Sequence, residues 1–339
     1  MHQITTIGLD LAKNVFQVHA VDANGAVVLR RSLRRGQVEG FFRRLPPCLV
    51  GLEACGTAHH WARVLIGLGH EVRLIPPAYV KAYVRRNKTD AADAEAICEA
   101  LGRKGMHFVP VRTTDEQAAA SQHRIRELLV RQRTMLLNAL RAHLAEFGLV
   151  AAKGPANLRG LMGAVEDPAD DRLPALLREA LLAMARALRA LEAELEALNA
   201  QVLAFHKSNE TSRRLAAIPG FGPIVASAMT ARVNNPERFA SGRDFAAYLG
   251  LAPRQSSSGG KVRLGHISKR GDAYLRRLLV NGAMAVLTSR QARLDPWLVR
   301  LRAKKPLLVV AVALANKMAR IAFAMMVHKT EFRARPAAA

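Results

Sequence analysis

The chain opens with short runs of apolar positions separated by polar turns. Residues 4–9 form an apolar run with β-branched members, and residues 15–21 alternate apolar and polar side chains. Asp22-Ala23-Asn24-Gly25 supplies turn chemistry, and an apolar run resumes over 26–29. The simplest reading is a three-strand antiparallel meander. Residues 49–52 predict a fourth strand and residues 71–75 a fifth, ended by Pro76-Pro77. Residues 58–68 are helical in spacing. So are residues 90–101, with Ala91, Ala94, Ile97 and Leu101 on one face. The order β-β-β-α-β-α-β-α predicts a mixed sheet flanked by helices.

Beyond that region the period changes to helical. Residues 115–147 form one long helical pattern carrying Arg124, Arg126, Arg131, Arg133 and Arg141. Residues 151–174, with Gly, Pro and Asp, read as a linker. Leu177, Leu181, Met184, Leu188, Leu191, Leu195, Leu198, Val202 and Phe205 then recur at alternating steps of four and three. That is the seam of a coiled coil, and it predicts a helical partner within the chain or from another copy. After residue 211 the pattern breaks into short helices separated by glycines. The expected organisation is an N-terminal α/β domain over 1–150, a linker and coiled coil over 151–206, and a mainly helical domain over 207–335. The most apolar stretch, 307–327, is interrupted by Asn316, Lys317 and Arg320 and reads as a buried or amphipathic helix, so no membrane partner is expected.

Charge sharpens this picture. The 339 residues carry 51 Lys and Arg against 27 Asp and Glu, a net charge of +24. Such an excess fits a polyanionic partner better than a small-molecule substrate. It is also lopsided: residues 1–206 hold 27 basic and 21 acidic side chains, residues 207–339 hold 24 and 6. The far third is the natural grip for a phosphate backbone. Cys48, Cys55 and Cys98 have no metal-ligand or disulfide spacing, which suits a reducing cytoplasm. Four Tyr and two Trp leave few platforms for stacking bases, which favours backbone recognition.

The acidic residues of the first part stand at element ends. Asp10 closes the first strand in Ile7-Gly8-Leu9-Asp10-Leu11-Ala12-Lys13, and Glu53 closes the fourth in Gly51-Leu52-Glu53-Ala54. Asp90 and Asp93 lie one helical turn apart in Asn87-Lys88-Thr89-Asp90-Ala91-Ala92-Asp93. Four converging carboxylates repel unless a dication joins them. Hard oxygen ligands suit Mg²⁺, with Mn²⁺ an alternative, and one or two such ions stabilise the charge that develops on a reacting phosphodiester. Taken alone, Asp90 also reads as a helix cap and Asp93 as a solvated acid.

Two motifs mark the far third. Ile218-Pro219-Gly220-Phe221-Gly222-Pro223 resembles a helix-hairpin-helix turn, whose amides at Gly220 and Gly222 meet a phosphate; a plain loop is the competing reading. Further on, Ser256-Ser257-Ser258-Gly259-Gly260 is flanked by Arg254, Lys261, Arg263, Lys269 and Arg270. By composition alone this is a flexible loop. A serine hydroxyl among cations is also placed to attack a phosphodiester once it is activated. Lys13 and Lys88, beside the acids, are further phosphate-contact candidates.

Asp10, Glu53, Asp90 and Asp93, in the contexts IGLDLAK, GLEACGT and NKTDAADA, resemble the DEDD motif of an RNase H/RuvC-like domain. The chain as a whole is similar to the DEDD transposases of bacterial insertion sequences, a bridge-RNA-guided recombinase family related to the Piv invertases. The resemblance implies a DNA transposase or recombinase that moves an insertion sequence. It implies Mg²⁺ on Asp10, Glu53, Asp90 and Asp93, and a serine nucleophile in the loop after Gly250-Leu251-Ala252-Pro253-Arg254, with Ser258 first and Ser257 second. It further implies DNA and a non-coding bridge RNA as partners, assembly as a dimer or tetramer through the coiled coil, and a bacterial cytoplasmic, nucleoid-associated location. The residues also admit a Holliday-junction-type structure-specific nuclease using the acids and water, or a non-catalytic nucleic-acid-binding protein. A sugar-kinase-like fold, which also places an Asp after its first strand, lacks here the early glycine-rich phosphate loops it needs.

Overall fold

A computed structural model describes residues 3–83, 89–152, 154–257, 259–290 and 295–333. The chain divides into two compact units, Met1–Asp115 and Glu116–Ala339.

The first unit is built on β1 (Thr6–Asp10), β2 (Val15–Val21), β3 (Val27–Arg34), β4 (Leu49–Glu53) and β5 (Glu71–Ile75). Their order in the sheet is β3-β2-β1-β4-β5. The first three strands form the expected antiparallel meander, and β4 and β5 add in parallel beside β1. Helix α1 (Val38–Phe42) joins β3 to β4, and α2 (Ala58–Gly67) joins β4 to β5. A short α3 (Pro77–Val80) and then α4 (Asp90–Leu101) follow. Strand alternation splits the sheet into unlike faces. On one face Leu9, Phe16, Val18 and Leu52 pack with Phe42 of α1 and Trp61 of α2, all buried. Fully burying such side chains contributes about 1.5–3 kcal/mol each. On the other face Ile75 packs with Ile97 and Leu101 of α4.

Strand β3 runs to Arg34, well past the apolar run expected over 26–29. It is an edge strand, so it needs a buried residue only at Leu33, and arginines occupy three of its last five positions. The hydrophobic pattern therefore ended before the hydrogen-bonded ladder did.

The second unit holds two long helices, α5 (Thr114–Ala145) and α7 (Ala175–Ser208), with α6 (Pro155–Glu166) between them. Residues 155–166, expected as part of a linker, are thus helical. Gly154 and Pro155 mark the start of α6 rather than a break, since proline suits the first turn of a helix. Its C-terminal carbonyls, which lack intrahelical partners, are met by Arg178 of α7, whose Nη1 donates to Ala164 O (2.7 Å) and Val165 O (3.2 Å). On the heptad seam of α7, Leu181, Leu188, Leu195 and Val202 are buried. Leu181 and Leu188 pack with Leu137, Leu140 and Leu144 of α5. At the other end Gln122 Nε2 donates to Gln201 Oε1 (3.1 Å) and Arg126 Nε to Asn199 Oδ1 (2.6 Å). Helices α5 and α7 therefore run antiparallel, and the chain covers much of its own seam.

The rest of the unit comprises α8 (Glu210–Leu215), α9 (Pro223–Arg232), α10 (Gly242–Tyr248), the hairpin of β6 (Pro253–Gln255) and β7 (Leu264–Ile267), α11 (Ala273–Thr288), α12 (Pro296–Lys304) and α13 (Leu307–His328). By length and composition α13 is long and apolar enough to cross a membrane. Val310, Leu314, Met318, Ala322 and Met325, spaced at three and four, place one side of it in the core shared with α9, α10 and α11.

Candidate metal centre and nucleic-acid interface

Asp10 is the last residue of β1 and Glu53 the last of β4. The two strands are parallel neighbours with Leu9 opposite Leu52, so both acids stand one step further on, at the same sheet edge. Helix α4 reaches that edge because of a glycine pair. Gly8 and Gly51 sit opposite one another on β1 and β4. A Cβ at Gly8 would lie 2.1 Å from Ala94 O and 2.6 Å from Cys98 N, and one at Gly51 would lie 2.6 Å from Leu101 Cδ1. Bare backbone here lets α4 lie directly on the strands. That brings its first turn over the end of β1.

Asp90 and Asp93 occupy that first turn, capped by Thr89, whose Oγ1 accepts from the Ala92 amide (3.2 Å). One carboxylate oxygen each from Asp10, Asp90 and Asp93 lies within 4.8 Å of the others. Glu53 stands outside this trio but near enough to act on it. The Asp10 carboxyl is pushed up to about 6, first by burial and then by the charges of Asp93, Asp90 and Glu53. Three carboxylates this close repel one another, and a hard divalent ion relieves that repulsion. Oxygen-only ligands from two rigid elements fit such an ion. Lys13 is exposed in the turn after β1. Lys88 lies outside the described residues.

In the second unit the β6–β7 hairpin carries exposed Arg254, Lys261 and Arg263, and Lys269 and Arg270 follow it, also exposed. The Ser257 hydroxyl accepts from Gln255 Nε2 (3.0 Å) and from the Arg263 amide (3.2 Å). It therefore ties the two sides of the hairpin together. Ser258 lies outside the described residues. Lys269 holds a left-handed backbone at φ 55°, which is uncommon for a residue with a side chain.

Gly220 and Gly222 lie in the turn between α8 and α9. Gly220, at φ 85°, has a packing reason to be glycine: a Cβ there would lie 2.7 Å from Gly282 O of α11. The reciprocal Cβ on Gly282 would lie 2.2 Å from Gly220 O. Gly222 is exposed and precedes α9.

Motif reading passed over several residues. Gln17 and Ser32 are hydrogen-bonded beside Asp10 (2.8 Å), and their signal was the polar residue at every second position of β2 and β3. His123, buried against the Tyr274 hydroxyl (Nδ1 to Oη, 3.2 Å), had no sequence signal apart from a lone polar residue on an apolar helix face.

A mixed sheet in the order β3-β2-β1-β4-β5, with acids at the ends of two adjacent parallel strands and on a helix lying across them, fits the RNase H-like class of α/β domains. Family comparisons agree. A transposase family of the DEDD IS110 type matches residues 7–148, and the transposase IS116/IS110/IS902 family matches residues 212–296. The chain belongs to the IS110/IS116 family of DEDD transposases. A probable family 20 transposase of Pseudomonas aeruginosa is 51% identical over 97% of this chain and 99% of its own. The transposase for insertion sequence element IS1328 of Yersinia enterocolitica is 41% identical over 98% and 99%. The transposase for insertion sequence element IS1111A of Coxiella burnetii is 37% identical over 98% and 92%. The protein is thus a DNA transposase.

Proposed function

We propose that this transposase cuts and rejoins DNA strands with Mg²⁺, or Mn²⁺, held by Asp10, Asp90, Asp93 and Glu53, and with a serine of the 256–258 loop as nucleophile. The single observation that carries the reading is the trio of carboxylates within 4.8 Å at the end of β1. Bound there, a divalent cation supplies Lewis-acid stabilisation of charge on the phosphate oxygens. The chain's own residues do the rest. Asp10 and Glu53, fixed by the strands, and Asp90 and Asp93, fixed by the capped helix, set the geometry of the ligands.

Ser258 is the first choice of nucleophile. Ser257 comes second because its hydroxyl is engaged in closing the hairpin. In the cutting step the serine Oγ–P bond forms and the bond from phosphorus to the 3′ oxygen breaks. The serine proton passes to solvent and the departing oxygen takes one up. Rejoining reverses this: a 3′ hydroxyl attacks the phosphoserine and frees the serine, so no external energy source is needed. Arg254, Lys261, Arg263, Lys269 and Arg270, with Lys13, Lys88 and the turn at Gly220 and Gly222, contact the phosphate backbone.

Sequence choice falls to a bridge RNA, because a chain with few aromatic platforms suits a division of labour in which base pairing reads sequence. Assembly as a dimer or tetramer in the bacterial cytoplasm, on nucleoid DNA, belongs to the same reading. Since Leu181, Leu188, Leu195 and Val202 are already buried, a partner copy meets only the outer side of α7.

The test is Ser258→Ala and Ser257→Ala, singly and together, against Asp10→Ala in a strand-cutting assay. The expected result is no DNA–protein adduct in the double variant and no cutting in Asp10→Ala. Cutting that survives both serine changes but not Asp10→Ala makes the protein a metal-dependent nuclease acting through water. A wild-type chain that binds nucleic acid without cutting it, and binds equally well with alanine at all four acids, is a non-catalytic nucleic-acid-binding protein. RNA that co-purifies and maps beside the protein's own gene tests the guide.

A further inference from the structure

The two faces of the first unit's sheet differ beyond the acids. On the face that carries Asp10, α4 covers the middle strands, and the outer part over β2 and β3 is polar. Asp10 is the register partner of Gln17, and Gln17 of Ser32. Directly opposed residues share a face, so Glu53, Asp10, Gln17 and Ser32 make one polar row across four strands. From Asp10 to Ser32 the row spans two strand spacings, about 10 Å. A shallow cleft lined by residues 17–19 of β2, residues 30–32 of β3 and Ala91 of α4 begins beside the acids, since Gln17 is the register partner of Asp10 and Ala91 follows Asp90.

Charge changes sign along this row. Arg30 and Arg34 flank Ser32 at two-residue steps on β3 and therefore share its face. Both are exposed. Arg30 is partly neutralised by Glu95 (Nη2 to Oε2, 3.5 Å, both side chains largely exposed), whereas Arg34 lies further towards the acid-bearing edge, opposite Val15. Arg31 and Arg35 point to the other face and lie over Phe41 and Trp61.

We propose that this shelf carries the DNA strand being processed, on one side of the phosphate that meets the acids, with Gln17 and Ser32 contacting its sugar–phosphate backbone and Arg34 and Arg30 its next phosphates. The proposal rests on the transposase reading above and adds the direction in which the strand leaves the acids: outward across β2 and β3. Two observations support it. The hydrogen-bonded amide and hydroxyl offer a neutral donor–acceptor pair that a polyanion tolerates beside carboxylates. The cations beyond offset the repulsion that a bare strand meets at four acids. An edge strand rich in arginine also keeps other strands from pairing with it, and that lesser role predicts no strand contact at all.

The test is photo-crosslinking in the full-length chain. Ser32→p-benzoylphenylalanine and, separately, Arg30→p-benzoylphenylalanine are compared with Glu39→p-benzoylphenylalanine on α1, which packs on the opposite face. The probe is a labelled single-stranded DNA of about 30 nucleotides at low salt, where backbone contacts are strongest. The shelf requires at least about fivefold more cross-link at positions 32 and 30 than at 39, and a loss of at least about threefold when Arg34→Glu is added, because a reversed charge repels the backbone. Equal yields at the three positions, or cross-linking to an RNA of the same sequence but not to DNA, overturn it. Cross-linking needs no cutting, so the two readings separate. Asp10-dependent cutting without a cross-link sinks the shelf and leaves the transposase chemistry; a cross-link in a protein whose cutting ignores Asp10 does the reverse.

Discussion

At the scale of single residues, Asp10 is the most informative side chain. Its carboxyl titrates near 6 in the folded chain, against about 3.8 in an unfolded one, because burial and three acidic neighbours disfavour its charge. The folded chain therefore holds the extra proton between those values. The stability that this residue contributes is present below about pH 4 and is lost as the pH rises through about 6. Asp10→Asn removes the buried charge. In chelator at about pH 7.5 the variant is expected to melt at a higher temperature than the wild-type chain, while losing strand cutting altogether. A lower melting temperature contradicts the crowded-acid reading. A divalent ion must displace the same proton, so below pH 6 its affinity should fall by about tenfold per pH unit. Titrating Mn²⁺ across that range checks this, and a flat response counts against Asp10 as a ligand.

At the scale of elements, the site depends on how closely α4 lies on β1. Gly8→Ala forces a methyl into the Ala94 carbonyl and the Cys98 amide, backbone atoms that cannot rotate away. The expected loss is about 1–3 kcal/mol or more in chemical denaturation, together with weaker Mn²⁺ binding as Asp90 and Asp93 are lifted from Asp10. Gly40→Ala on the open side of α1 meets nothing within 4 Å and should gain up to about 1 kcal/mol. Equal effects at the two positions contradict the close approach.

Element ends were where sequence reading did best. Asp10 and Glu53 close apolar runs, and Asp90 and Asp93 open a helical pattern, so all four acids carried local signals, although the cap is Thr89 and not Asp90. Reading went wrong where tertiary context overrides local pattern. Strand β3 is held by its neighbour and not by its own apolar alternation, and α6 is held by α5, α7 and the Arg178 guanidinium. The need for glycine at Gly220 was legible, but the contact that needs it, with Gly282 some sixty residues on, was not.

At the scale of the whole molecule, net charge was legible at once, because summing side chains requires no fold. Convergence of the acids was an expectation that pattern alone left conditional on strand order, because Asp10 and Glu53 become neighbours only through the parallel pairing of β1 and β4. With 24 basic and 6 acidic residues beyond position 206, DNA binding should weaken by at least about a hundredfold between roughly 50 and 200 mM salt. Lys261→Ala or Arg263→Ala should each lower the log–log salt slope by about one, as filter binding or anisotropy would show. A slope unchanged by either substitution moves the grip elsewhere.

The central claim is that acids distant in sequence hold a divalent ion at the end of β1. Mn²⁺ binding followed by electron paramagnetic resonance tests it most directly, on the wild-type chain and on Asp10→Asn and Asp93→Asn. The expected result is tightly bound Mn²⁺ in the wild type, lost or weakened by at least about tenfold in each variant. Mn²⁺ bound equally well by all three proteins would contradict the account.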